Sequence, residues 1–279
     1  MNELLVDAAW LEGHRDEVVI ADVRWAPTLG TQEAERLFAA GHIPGAVFFD
    51  VDRDLAGTAF TGGPGRHPLP TPEGFAQTLA RAGIGDDDTV VAYDLVGGSY
   101  AARLWWMLDA TGRRCALLDG GLGAWPGPLE TGTAQPRPAT EVAARPWSPE
   151  LVADADEVRE ALVAGATVLD ARAGDRYRGE TEPFDPVAGH IPGARSAPWT
   201  ENLAGGGFLR PAGELRERFE TLGVHDGSAA IAYCGSGVTA AHDVLAMRIA
   251  GLGTARLYEG SWSDWVHDPA RPVATGEEP

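Results

Sequence analysis

The stretch "AAIAYCGSGVTAAHDVLAMRIAGLG", residues 229–253, changes its periodicity within a few residues. A continuous apolar run stops at Cys234, as a buried strand of a parallel sheet does. Gly235, Ser236 and Gly237 follow; then Val238, Ala241, Leu245 and Ile249 recur along one helical face, with Gly251 as the stop. Cys234 is thereby predicted at the carboxyl end of a strand, where open parallel sheets place their ligand sites. Small residues at this junction let backbone N–H groups turn inward as an anion nest, backed by the helix N-terminus. Such surroundings favour thiolate over thiol.

The same grammar occurs earlier in the chain. "RAGIGDDDTVVAYD" (81–94) aligns with "TLGVHDGSAAIAYC" (221–234), and "LLDGGLGAW" (117–125) with "LYEGSWSDW" (257–265), both at an offset of 140. "GHIPGA" stands at 41–46 and again at 189–194, and "IADVR" (20–24) faces "VLDAR" (168–172), both at an offset of 148. Four matches in the same order are an internal duplication. Each copy alternates short apolar strands ("EVVIADV", "TVVAYD", "CALLDG") with helical stretches, which predicts an α/β fold of two tandem parallel-sheet domains with flanking helices. The boundaries read from this are 1–128 for the first domain, 129–147 for a Pro-, Thr- and Ala-rich linker and 148–279 for the second. The drop in offset leaves the first copy eight residues longer, within the Gly/Pro-rich loop "RDLAGTAFTGGPGRHPLPTPEG".

The copies differ where chemistry would sit. Asp94 occupies the position of Cys234, so the first copy is expected to keep the fold and not the nucleophile. Cys115, at the start of a strand, reads as structural. His42, His190, Asp22, Asp170, Arg24 and Arg172 are present in both copies, including the one without a nucleophile, and read as structural too. Trp125 and Trp265 are expected to pack the core.

Composition sets the outer bounds. With 279 residues, 44% of them hydrophobic, the chain has material for two cored domains. Two cysteines make no disulfide framework, and two free thiols suit a reducing cytoplasm. No basic leader precedes an apolar stretch at the N-terminus and no apolar run reaches membrane-spanning length, so a cytoplasmic location is expected. A net charge of −19 argues against nucleic acid and anionic membranes as partners.

Taken together, both "GHIPGA" segments, "DARAGDRYRGETEP", "YCGSGVTA" and "LYEGSWSDW" resemble the tandem-domain rhodanese-like sulfurtransferases over nearly the whole chain. Within that family "CGSGVT" looks like the 3-mercaptopyruvate loop, since thiosulfate-preferring relatives tend to carry basic residues at the positions of Gly235 and Ser236. The resemblance implies two five-stranded domains, a silent first copy and an active site in the cleft between them. It implies that Cys234 takes sulfur from a small-molecule donor as a persulfide and passes it to a thiol, such as thioredoxin or a small thiol, or to cyanide. No metal or organic cofactor is expected. By the same resemblance Ser236, His67 and Asp52 form a proton relay, Arg176 faces the donor's anionic group, and Gly235, Gly237, Val238 and Thr239 complete the donor-binding loop. The eight-residue surplus would then be a loop that the silent copy lends to the active one. One departure stands out: Phe184 follows Pro183 where mercaptopyruvate members usually carry a second arginine, and Arg178 is the candidate substitute. Thiosulfate:cyanide sulfurtransfer is the alternative activity, and a non-catalytic sulfur-relay or regulatory module the non-enzymatic one. A cysteine phosphatase of this fold needs an arginine six residues past the cysteine, and Ala240 is there.

Overall fold

The computed structural model describes residues 4–57, 65–135 and 137–279. They divide into two compact units. One takes the described residues within Met1–Gly57, Leu69–Trp147 and Gly205–Phe208; the other takes those within Thr58–Pro68, Ser148–Ala204 and Leu209–Pro279. Residues 129–147, read as a linker, run with the first unit: Glu130 makes a two-way backbone bridge with His42, and the Trp147 indole donates to the Pro70 carbonyl at 3.0 Å.

The first unit is built on β1 (Leu5–Val6), β2 (Val19–Val23), β3 (Val47–Phe49), β4 (Thr89–Tyr93) and β5 (Arg114–Leu118), all parallel, in the order β1-β5-β4-β2-β3. The second repeats that order with β6 (Val152–Ala153), β7 (Thr167–Asp170), β8 (Arg195–Ser196), β9 (Ala230–Tyr233) and β10 (Arg256–Tyr258), as β6-β10-β9-β7-β8. Register is repeated as well: Asp22 pairs with Tyr93 across β2 and β4, and Asp170 with Tyr233 across β7 and β9. The duplication in sequence is a duplication in topology. The edge strands are two or three residues long, too short for a period to show in the sequence.

Helix boundaries follow local chemistry. Helix Pro72–Arg81 opens with proline in its first turn behind Thr71, whose hydroxyl accepts from the Gly74 N–H at 3.1 Å. Helix Ala155–Val163 begins with a reciprocal box between Asp154 and Glu157. Trp125 belongs to the core of the first unit and Trp262 and Trp265 to that of the second.

The residues shared by both copies form the frame. Arg24 grips Asp22 at 2.6 Å and donates to the Gly41 carbonyl; Arg172 grips Asp170 at 2.6 Å and donates to the Gly189 carbonyl. Each pair is almost fully buried. The Ile43 and Ile191 N–H groups donate to the Tyr93 and Tyr233 hydroxyls at 3.0 and 3.1 Å. His42 stacks on Phe38 and His190 on Tyr177, each ring with its Nδ1 against a backbone carbonyl. This network ties the "GHIPGA" turn to the strand two places along the sheet. Removing one member of such a buried pair costs about 3–5 kcal/mol, which makes these residues determinants of the fold.

Candidate active site

β9 ends at Tyr233, and Cys234 follows at its carboxyl end, 2% exposed. The loop through Thr239 leads into helix Ala240–Ile249. Gly237 has a φ of +77°, and a β-carbon there would stand 2.4 Å from the Glu259 carbonyl oxygen, so the loop closes on the β10 side only with glycine at this point. Thr239 precedes the helix without capping it through its side chain.

The loop at the matching place in the first unit is closed by a carboxylate. Asp94, fully buried at the end of β4, folds back into its own loop. Its Oδ1 accepts from the Val96 and Gly98 N–H groups, both at 2.8 Å, and its Oδ2 from Tyr100 at 2.8 Å and Ala101 at 3.1 Å. Burial raises the Asp94 carboxyl from its ordinary value, and the four backbone donors pull the other way. Helix Ala101–Ala110 likewise has no cap from the residue before it, because the Asp94 carboxylate does that work. By the constant offset of 140, the matching positions in the second unit are Ser236, Val238, Ala240 and Ala241.

A second difference separates the copies. Gly121 in the first unit has a φ of +56°, and its counterpart Ser261 has a φ of +55°, the one positive φ at a non-glycine among the described residues. That conformation costs a serine about 1–3 kcal/mol. The fully buried Ser261 hydroxyl donates to the Tyr258 carbonyl at 2.9 Å and accepts the Cys234 N–H at 3.1 Å. The Trp262 N–H adds a bond to the Cys234 carbonyl at 3.0 Å. The backbone of Cys234 is thus fixed on both sides. Ser261 escaped the sequence reading, although the alignment of "LLDGGLGAW" with "LYEGSWSDW" carries the signal as a glycine replaced by serine.

The described end of the long loop of the first copy, residues 65–68, packs with the second unit, while residues 58–64 lie outside the described residues. Gly65 has a φ of +75°, and a β-carbon on it would stand 2.4 Å from the Gly260 carbonyl oxygen. The Arg66 N–H donates to the Ser263 hydroxyl at 3.1 Å. His67, 9% exposed, brings its Nδ1 to 2.7 Å from the Ser236 hydroxyl. Asp52 belongs to the other unit, exposed on the short helix Val51–Asp54.

Arg176 lies on the short helix Gly174–Tyr177 and is held in a fork by Glu182, at 2.7 and 2.9 Å. Arg66, absent from the residues singled out in the sequence, converges on the same spot. A methyl group placed on Gly235 would stand 3.1 Å from Arg66 Nη2 and 3.4 Å from each terminal nitrogen of Arg176. Both guanidinium groups also lie against the Phe184 ring, at 5.7 and 5.2 Å from its centre. Arg178 is elsewhere, paired with the exposed Glu180 at 2.9 Å. Cys115 sits in β5 with its Sγ toward the Ala116 carbonyl, and burial pushes its thiol up from the ordinary value. In the first turn of helix Ala240–Ile249, Asp243 is fully buried, accepts from Asn202 Nδ2 at 2.6 Å and is raised to about 7 by desolvation. Among the described residues no group of three or more His, Cys, Asp or Glu side chains could hold a metal, and no helix is long and apolar enough to cross a membrane.

Comparison with known proteins agrees with the duplicated fold. The family model of the rhodanese-like domain matches twice, over residues 7–127 and 154–268. A Pseudomonas aeruginosa protein named "Probable 3-mercaptopyruvate sulfurtransferase" is 44% identical over 94% of this chain and 93% of its own. A Mycobacterium tuberculosis protein whose name reads thiosulfate sulfurtransferase is 40% identical over 98% of both chains. The solved structure of 3-mercaptopyruvate sulfurtransferase from Leishmania major superposes with a TM-score of 0.85 at 31% identity, covering 97% of this chain and 75% of that one. Two matched copies, one parallel topology repeated and relatives aligned end to end place the chain in the rhodanese-like domain family, as a tandem member.

Proposed function

We propose that the chain is a sulfurtransferase that favours 3-mercaptopyruvate as donor and carries the sulfur as a persulfide on Cys234. The observation that carries this reading is the exchange of Asp94 for Cys234 at the same place in the duplicated fold. Where one copy seats a carboxylate on four backbone donors, the other places a thiol at the strand end.

In the first half-reaction the Cys234 thiolate attacks the donor's sulfur. The S–S bond forms as the carbon–sulfur bond breaks, and the electron pair leaves on carbon as the enolate of pyruvate. The thiol proton of the donor is balanced by the proton this carbon takes up, so the products are a Cys234 persulfide anion and pyruvate. His67 and Ser236, 2.7 Å apart, are the groups suited to deliver that proton, with Asp52 proposed as the carboxylate behind His67. Backbone N–H groups of Ser236, Val238 and the first helical residues stabilise the anionic sulfur in both halves of the cycle, with Gly235, Gly237 and Thr239 keeping the loop open to the donor. In the second half-reaction a thiolate acceptor, thioredoxin or a small thiol, attacks the outer sulfur and returns Cys234 as thiolate.

Arg176 faces the anionic end of the donor. Its charge is local, whereas the −19 of the whole chain acts through solvent that screens beyond roughly 8 Å. Thiosulfate is the second reading, favoured by the name of the Mycobacterium tuberculosis relative. One preparation assayed with both donors and a thiol acceptor separates them. A higher kcat/KM with 3-mercaptopyruvate supports the first reading; a higher value with thiosulfate replaces it by the second, and no turnover with either refutes both.

A further inference from the structure

We infer that Arg66 is a second donor-binding cation of the site, supplied by the loop after residue 57 and held ready by Asp185. The inference rests on the sulfurtransferase reading and adds a residue to it.

Two guanidinium groups from separate segments come together at one place, directly above Gly235 and next to Cys234 in the chain. Like charges do not gather without an anion, and two anions of the chain itself hold them there. Glu182 takes Arg176 in a fork, and Asp185 takes Arg66. The two carboxylates are not alike. Glu182 is satisfied on both oxygens and also meets Arg172 at 3.2 Å, so it belongs to the buried frame. Asp185, with only 5% of its side chain exposed, has one oxygen on Arg66, while the other lies 3.7 Å from Arg176 with no hydrogen bond. A half-satisfied buried carboxylate between two cations is a weak occupant of an anion site. An incoming donor carboxylate competes with it for Arg66.

The Arg66 side chain can respond. It is 34% exposed, while its backbone is pinned through Ser263 and the close approach of Gly65 to Gly260. The guanidinium can therefore change partner without moving His67, the next residue. Phe184 supplies the apolar wall against which both guanidinium groups lie, so the donor's anion meets two flat forks and not a solvated lysine-like charge. Gly235 also acquires a reason here: any side chain at that position fills the space on which the two forks converge.

The test compares Arg66→Ala, Arg66→Lys and Asp185→Asn with wild type, using 3-mercaptopyruvate as donor and dithiothreitol as acceptor. Arg66→Ala should raise KM about 10- to 100-fold, the loss of one charge-assisted contact, with kcat little changed. Arg66→Lys should recover part of that loss, and Asp185→Asn should lower KM. Pyruvate binding to the Cys234→Ser protein, measured by calorimetry, should weaken when Arg66→Ala is added, a readout that needs no turnover. An unchanged KM and unchanged pyruvate affinity would reduce Arg66 to a partner of Asp185 and overturn the inference. A fall in kcat at constant KM would overturn it too, by making Arg66 a support for His67. A wild-type protein that takes no sulfur from the donor would instead refute the sulfurtransferase reading itself.

Discussion

Loops 94–101 and 234–241 stand at matching places in the two copies and differ in backbone: Gly98 has a φ of +88°, while its counterpart Val238 is not left-handed. In the first, the Asp94 carboxylate closes the loop on itself with four backbone hydrogen bonds. In the second, Cys234 brings one sulfur and no such set of acceptors. The first loop is closed by its own carboxylate; for the second, an anionic sulfur species is the proposed occupant. The exchange at this position removes the carboxylate that caps the helix and sets a thiol in its place. The surroundings follow suit: Ser261 replaces Gly121 and accepts the strain of a left-handed serine to anchor the Cys234 N–H.

The comparison can be broken most severely by filling the second loop as the first is filled. Cys234→Asp should abolish turnover with every donor yet raise the melting temperature, because the new carboxylate caps helix Ala240–Ile249 from within. Loss of folding, measured by thermal denaturation, would show that the loops are not equivalent. Cys115→Ser should leave turnover nearly unchanged, since that thiol is tucked against its own strand. Next in size, His67→Ala and Ser236→Ala should each lower kcat with 3-mercaptopyruvate by about 10²-fold, a usual general-acid contribution. Thiosulfate expels sulfite, which needs no proton, so its turnover should fall much less. Because the two side chains act together, the double variant should cost little more than either single one. Equal losses with both donors would mean damaged geometry in place of a lost relay.

Smaller effects concern stability. Asp94→Asn should cost about 1–3 kcal/mol in urea titration, because its amide nitrogen faces donors where acceptors are needed. No change would deny the anion-nest account of the first loop. Asp243→Asn should alter the pH profile instead. Asp243 has Arg218, Asn202, His242, Asp170 and Glu201 around it, and its carboxyl is raised from 3.8 to about 7. A raised acid contributes stability below its unfolded value, and that contribution is lost as pH climbs toward the folded one. The wild type should therefore lose stability from about pH 4 to 7 through this group, and the asparagine variant should show a flatter curve over that range.

How much of this the sequence carried depended on whether information was local. The duplication, the strand before Cys234, the helix after it and the swap at Asp94 are short-range patterns, and the repeated topology agrees with them. His67 was named through the family resemblance; its 2.7 Å approach to Ser236 spans a sequence separation of 169, which no periodicity conveys. Arg66 lies in the loop within which the first copy is eight residues longer, where the alignment of the copies gives no guidance, and its meaning comes only from what stands above Gly235. Phe184 read as a missing arginine, and the structure gives it two arginines as neighbours. The two- and three-residue edge strands were invisible because they are shorter than any repeat they could display.

The central claim, that Cys234 carries the transferred sulfur, is tested most directly by mass spectrometry of protein incubated with 3-mercaptopyruvate and no acceptor. The account predicts a gain of one sulfur mass confined to the peptide containing Cys234, absent from Cys234→Ser and lost on adding a thiol. A gain on the peptide containing Cys115, or none on either, would contradict it.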